Sequence, residues 1–293
     1  MPSQLPEAGA VFVDHIAHFV PMLDPAIAVL EQCGFRLTPF TAQTNQVDGK
    51  RVPAGTGNRC AMFRRGYVEV LAATADMPLA RQLNERLQRH VGLHLVAFSS
   101  ADAAAEHRRL STAGFPVLPL VDMRRPVATE AGQEEARFTI ARISPGPMPE
   151  GRVQFLTHHT ENLVWREAYL DHPNGAQALT AIWIAAADPS EPVERFVRFT
   201  GRPSKHDGLV TTIALERGAL HFATPDFLAA EKGIIPGPPL PYIAGCEIEV
   251  ASLDRLRRHL DGAGFTHRAI ADVTAVSLPP SVGGTILFRA MAG

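Results

Sequence analysis

Apolar residues in this chain fall into short strand-like runs broken by single amphipathic helices, and the pattern recurs. Four times a glycine introduces a short apolar strand: Gly66-Tyr67-Val68-Glu69-Val70, Gly151-Arg152-Val153-Gln154-Phe155, Gly218-Ala219-Leu220-His221-Phe222 and Gly284-Thr285-Ile286-Leu287-Phe288. Each follows, at some distance, an apolar strand, a helix and a small-Gly stop. Those stops are Cys33-Gly34-Phe35, Ala113-Gly114-Phe115, the degenerate Thr200-Gly201-Arg202, and Ala263-Gly264-Phe265. A unit repeated at this length is a supersecondary element that needs its neighbours to bury one face.

The first unit opens with an apolar, β-branched run over 11–20, read as a buried strand stopped by Pro21. Asp24 is placed as a helix N-cap with Pro25 in the first turn. Ala26, Val29, Leu30 and Cys33 recur at helical spacing, and Gly34 supplies a left-handed cap. Residues 41–57 read as a polar, Gly-rich loop. Strands over 59–63 and 67–72 follow, joined at Arg64-Arg65-Gly66, which reads as a solvated hairpin tip.

The second unit repeats this with a strand at 93–98, a helix at 102–113 and strands near 117–121, 136–143 and 152–156. Between them, 78–89 is a connecting helix with Leu79, Leu83 and Leu87 on one face. A linker over 158–176 ends in the turn-forming His172-Pro173-Asn174-Gly175. Units three and four carry helices at 191–200 and 253–263, with a proline-rich connector at 236–241. The fold class is therefore α+β: four tandem βαβββ units forming two cupped mixed sheets, with domains at 1–165 and 176–293.

Composition narrows the function. At 293 residues and 46% hydrophobic, the chain has room for about two domains and their cores. A formal charge of −2 speaks against nucleic acid as a partner. Cys33, Cys60 and Cys246 form no metal or redox spacing and read as buried thiols in a reducing compartment. The first residues carry no basic n-region, and the longest apolar stretch, near 178–187, is too short to span a membrane. These features predict a cytoplasmic protein acting on a small molecule, without nucleic-acid or membrane partners.

The chemistry should lie where the first and last strands of a unit line its cup. Aligning Ala17-His18-Phe19 with Val96-Ala97-Phe98 sets His15 opposite His94, and the glycine strands add Glu69 and Gln154. Two imidazoles, a carboxylate and an amide oxygen form a plausible donor set for Fe²⁺, Mn²⁺, Ni²⁺ or Zn²⁺. Affinity for such an ion would fall below about pH 6, where imidazole protonates. Gly55-Thr56-Gly57-Asn58-Arg59 lacks the Gly-Lys-Ser/Thr ending of a phosphate loop; it reads as a turn aiming Asn58 and Arg59 at the cavity mouth. Of His158 and His159, consecutive on a strand, at most one can face the cavity. Asp14 and His18 are candidates for orienting His15, although alternation sets Asp14 on the opposite face. No Ser-His-Asp elbow and no Rossmann fingerprint occur.

Val13-Asp14-His15, Gly55-Thr56-Gly57-Asn58-Arg59, Gly66-Tyr67-Val68-Glu69 and Gln154-Phe155-Leu156-Thr157-His158-His159-Thr160, with Trp165 and His172-Pro173-Asn174-Gly175-Ala176, carry a resemblance to glyoxalase-like domain proteins of the vicinal-oxygen-chelate superfamily. It covers about the first 180 residues and is architectural beyond. The resemblance implies one divalent metal held by His15, Glu69, His94 and the departing Gln154, with substrate chelating through neighbouring oxygens. It implies lyase/isomerase or dioxygenase chemistry in which Glu69 is both ligand and base, and Asn58, Arg59 and His158 contact the ligand. The alternative is metal-free small-molecule binding of the sequestration type. In the second half, Ala181 and Cys246 take the approximate His positions, with His221 and Leu287 on the glycine strands. That half is the expected surface for a homodimer.

Overall fold

The computed structural model describes residues 3–47, 50–129 and 132–291. The first half builds strands β1 (Val11–Phe19), β2 (Thr41–Val47), β3 (Lys50–Met62), β4 (Tyr67–Ala73), β5 (Gly92–Ser100), β6 (Val121–Thr129), β7 (Gly132–Arg142) and β8 (Arg152–His158). Helices α1 (Leu23–Gln32), α2 (Pro78–Leu87) and α3 (Ala103–Thr112) connect them, and the short α4 (Glu161–Val164) follows β8. The second half contains β9 (Ala176–Ala185), α5 (Ser190–Thr200), β10 (Ser204–Asp207), β11 (Val210–Ala214), β12 (Ala219–Ala223) and α6 (Pro225–Phe227). It ends with β13 (Tyr242–Val250), α7 (Leu253–Gly262), β14 (Arg268–Ile270), β15 (Val273–Ser277) and β16 (Thr285–Ala290).

The first eight strands close into a barrel in the order β1-β4-β3-β2-β6-β7-β8-β5, while the last eight form an open sheet in the order β10-β11-β12-β9-β13-β16-β15-β14. In each unit the first strand pairs parallel with the last, as β1 with β4 and β5 with β8. The four glycines seen in sequence each stand just ahead of β4, β8, β12 and β16. Gly66 shows why one of them must be glycine. Its φ is +72°, and a Cβ there would sit 2.9 Å from the Asp14 carbonyl oxygen.

Alternation sorts the side chains into two layers. Ile16, Val68, Val70, Val96, Phe98, Val153 and Phe155 point out of the barrel. There they join α1, α3, α5, α7 and the apolar residues of β9, β12, β13 and β16 in one core. Phe155 and Phe199 stack at 5.2 Å within it, and burying one such ring contributes roughly 2–3 kcal/mol. Ala17, Phe19, Tyr67, Leu71, Leu95, Ala97 and Leu156 point inward, where Trp165 and Leu170 from the following segment close over them.

The helices lie close to their expected bounds, but other features differ. The segment 41–57, read as a loop, is mostly the β2–β3 hairpin, because its alternating polar residues line a barrel wall instead of a solvent-facing turn. Gly55 to Arg59 is therefore strand, not turn. Helix α1 begins at Leu23 with Met22 at the N-cap, which puts Asp24 in the first turn. Arg65 is not merely a solvated tip: it pairs with Glu249 at 2.5 Å, and its carbonyl accepts from the Leu179 N–H at 2.9 Å. Among the described residues no helix is long and apolar enough to cross a membrane. The three cysteines are free and buried.

Candidate active site inside the barrel

The inner wall of the barrel carries a polar group enclosed by apolar side chains. His15, Asn58, Cys60, Tyr67, Glu69 and Gln154 line a small cavity of about 60 Å³, with Gln43, Arg142 and Arg152 around them and Leu71, Leu95, Phe138, Ile140 and Leu156 excluding water. Glu69 and Gln154 occupy equivalent places. Glu69 sits opposite Ala17 across the β1–β4 ladder, and Gln154 opposite Ala97 across β5–β8.

His15 is fixed from behind. Its Nδ1 lies 2.6 Å from Asp14 Oδ1, and its ring stacks on Tyr67 with centroids 4.3 Å apart. Neighbouring strand residues normally face opposite sides, so this contact needs a break in the ladder. A β-bulge provides it: Val13 pairs with Phe98 and His15 with Ala97, leaving Asp14 unpaired between them. The second carboxylate oxygen of Asp14 meets His158 Nε2 at 2.8 Å. Burial by itself raises the Asp14 carboxyl pKa, but the opposing charges and hydrogen bonds of His158 and His15 outweigh it and hold the group well below the usual carboxylate range. An Asp14 carboxylate accepting from Nδ1–H leaves the His15 Nε2 lone pair turned into the cavity.

Glu69 faces that nitrogen. Its Oε2 is 3.8 Å from His15 Nε2, while its Oε1 accepts from Asn58 Nδ2 and, at 3.2 Å, from Gln43 Nε2. Thr56 holds Gln43 in turn, its hydroxyl donating to Gln43 Oε1 at 2.7 Å. Asn58 Oδ1 and Gln154 Oε1 are buried without hydrogen-bond partners. Unpaired buried oxygens cost free energy unless a ligand or water completes them.

Not every residue singled out in sequence comes here. His94 is not in the cavity: its Nε2 contacts the His90 carbonyl oxygen at 2.8 Å, and its ring lies 3.9 Å from that of His90. The reason is register. Ala17 pairs with Leu95 and His18 with Leu93, so His94 is itself a bulged residue, and Leu95 holds the place in the second unit that His15 holds in the first. A one-residue slip exchanges the faces of a strand. His94 is thus the counterpart of Asp14, not of His15. The same slip places Gly245, rather than Cys246, at the matching point of β13. His18 faces away from His15, with Nδ1 3.3 Å from the Val282 carbonyl oxygen.

Asn58 lines the cavity, but Arg59 points outward, its guanidinium donating to Thr38 O at 2.7 Å and Glu31 Oε1 at 3.0 Å. His158 stands behind the cavity as the far partner of Asp14, wedged against Trp165 and Phe138. His159 is outside, bonded to the Thr139 hydroxyl at 2.8 Å. Sequence reasoning missed Gln43, Arg142 and Arg152. The Arg-x-Gln spacing of Arg152 and Gln154 on one strand face could have shown the last of these.

In the second half the equivalent positions pack on each other. Trp183 lies tilted against His221, with ring centroids 4.5 Å apart, and donates from Nε1 to Glu247 Oε1 at 2.9 Å. Glu247 Oε2 also receives Arg289 Nε at 3.3 Å.

The family model described as a glyoxalase-like domain matches residues 13–200, which takes in the whole barrel, β9 and α5. The chain belongs to the glyoxalase-like domain family. Among solved structures, a hypothetical protein from Staphylococcus aureus is similar over 96% of this chain and 99% of its own, with a TM-score of 0.65 and 13% identity. A variant of 4-hydroxymandelate synthase from Streptomyces coelicolor is 16% identical, with a TM-score of 0.57 over 97% and 93% of the two chains. The Mn(II)-bound glyoxalase from Novosphingobium aromaticivorans is 12% identical, with a TM-score of 0.54 over 96% and 82%. With catechol 2,3-dioxygenase, 14% identical with a TM-score of 0.57 over 97% and 89% of the two chains, these neighbours share the vicinal-oxygen-chelate fold. Among curated proteins no sequence match is found.

A metal is part of what such a fold implies, and this glyoxalase-like chain can be tested for one. Among the described residues no cluster of three or more His, Cys, Asp or Glu side chains could hold a metal ion. The third donor here is instead an amide. His15 Nε2, Glu69 Oε2 and the unpartnered Gln154 Oε1 line one cavity, and the fourth place is the hydrocarbon of Leu95. One imidazole, one carboxylate and one amide oxygen fit a borderline divalent ion with three protein donors, leaving other positions to small ligands.

Proposed function

We propose that the barrel cavity is the active site of a small-molecule enzyme of lyase/isomerase or dioxygenase type, with His15, Glu69 and Gln154 as the donors to a divalent metal. The metal when bound would act as a Lewis acid on two neighbouring substrate oxygens. The observation that carries this reading is the aim of His15: Asp14 fixes its Nδ1, so Nε2 points at Glu69 Oε2 3.8 Å away beside the orphaned Gln154 oxygen.

The chain's own residues divide the remaining tasks. Asp14, anchored by His158, holds the tautomer of His15. Asn58 and Gln43 occupy Oε1 of Glu69, so Oε2 is the oxygen that would serve both as donor to the metal and as acceptor of a proton from a substrate carbon or hydroxyl. Leu71, Leu95, Ile140 and Leu156 keep bulk water from that step. The cavity admits only the reacting end of a substrate at about 60 Å³.

A metal-free binding function is the second reading. Leu95 in the fourth position and the arginines beside the cavity, Arg142 and Arg152 among them, favour it. Elemental analysis of protein purified without chelator separates the two. About one equivalent of a transition metal, lost in Glu69→Gln and His15→Ala and retained in His94→Ala, is the result expected of the enzyme. No metal after reconstitution with Fe²⁺, Mn²⁺, Ni²⁺ and Zn²⁺ would leave binding alone.

A further inference from the structure

Arg142 and Arg152 are charges beside the cavity that the metal-centred reading leaves without a role. Arg152 lies two residues before Gln154 on the same face of β8, and Arg142 pairs with Gln154 across the β7–β8 ladder. Both guanidiniums line the inner cavity, and both also line a second, larger cleft of about 360 Å³. A guanidinium keeps its charge at any ordinary pH, so both carry a positive charge into this wall of the barrel.

Neither guanidinium makes a side-chain hydrogen bond or an ion pair among the described residues, and Arg142 Nε is buried without a partner. Arg152 only rests over the Phe19 ring, 5.5 Å from its centre. Glu69 is the acid whose charge acts on both, and its Oε1 is engaged by Asn58 and Gln43. One carboxylate against two half-buried guanidiniums leaves a net positive charge at the junction of cavity and cleft, which an anion would complete.

The cleft on the far side of the arginines is mostly apolar. Phe19, Val52, Met77, Leu79, Leu118 and Met148 are among its walls, under helix α2, with Arg86 also in the lining. Its volume is that of an ordinary small-molecule site.

We propose that the substrate is an organic carboxylate with an apolar body: the carboxylate lies between Arg142 and Arg152, the body fills the cleft under α2, and the reacting end enters the barrel. Planar guanidiniums suit a carboxylate better than any other common anion-binding side chain does. This assignment of substrate class rests on the barrel cavity being the functional site, but not on a metal being there.

The test uses 4-phenylbutanoate and its neutral amide, titrated calorimetrically into chelator-treated full-length protein. Wild type should bind the acid at least about tenfold more tightly than the amide. Arg142→Gln and Arg152→Gln should each weaken the acid roughly ten- to hundredfold, the range for a hydrogen bond to a charged group, and leave the amide unchanged. A second readout excludes simple misfolding. Each variant removes a half-buried cation that has no carboxylate partner, so its thermal midpoint should match or exceed wild type, whereas a merely structural arginine would lower it. Equal affinity for acid and amide, or folded variants that keep the wild-type preference, would overturn the assignment. An acid preference in protein that takes up no metal supports it while contradicting the metal-centred reading.

Discussion

Asp14→Asn is the sharpest perturbation of the site, because it changes two atoms' chemistry with almost no change of shape. The wild-type carboxylate accepts from His15 Nδ1 at 2.6 Å and His158 Nε2 at 2.8 Å, all three side chains being buried. The amide offers one acceptor oxygen and one N–H group. Whichever imidazole meets the N–H must become an acceptor there and move its own proton to the opposite nitrogen. Each lost hydrogen bond to a charged group is worth about 1.5–3 kcal/mol. The variant should be less stable by about 3–5 kcal/mol, the range for breaking a buried pair. Metal affinity should fall roughly ten- to hundredfold, as for loss of a carboxylate behind a ligating imidazole. Urea unfolding followed by circular dichroism reads the first quantity and metal titration the second. Nitrogen NMR of the histidine rings should show wild-type His15 protonated at Nδ1 and a changed tautomer at His15 or His158 in the variant. A stability change under about 0.5 kcal/mol with unaltered ring nitrogens would refute the reasoning.

Two further outcomes follow from the register and from the buried histidines. Leu95→His should raise metal affinity by supplying the fourth donor, and His94→Ala should leave it unchanged; isothermal titration of both variants checks the strand assignment. Burial lowers His18 and His90 to about 4 and His94 to about 3, against an ordinary 6.5. The unfolded chain therefore binds more protons than the folded one between about pH 6.5 and 4, and stability present above that window falls as the pH drops through it. For the fully buried His18 the loss approaches about 3 kcal/mol, and His18→Gln should flatten that part of a stability–pH curve measured in urea.

The repeat was legible in sequence because its punctuation is physical. Gly34, Gly114, Gly201 and Gly264 all adopt positive φ at helix ends, and the strands behind Gly66, Gly151, Gly218 and Gly284 all form. From that regularity the four units and the inward placement of His15, Glu69 and Gln154 followed. The bulges were not legible. One extra residue at Asp14 brings a carboxylate behind His15 that strict alternation sends away, and one at His94 takes an imidazole out of the cavity. Sequence pattern has no mark for a single extra residue in a run that is otherwise mostly apolar. The β2–β3 hairpin was hidden for another reason. Its inward positions carry Gln43 and Asn58, polar groups that serve Glu69, so it lacks the apolar alternation by which strands are recognised.

The central claim is that His15, Glu69 and Gln154 converge on one ion inside the barrel. Crystals soaked in Mn²⁺ and measured at a wavelength where manganese scatters anomalously test it most directly. The account predicts a single strong peak within about 2–2.5 Å of His15 Nε2, Glu69 Oε2 and Gln154 Oε1. A barrel with no peak, or a peak beside His90 and His94 instead, would contradict it.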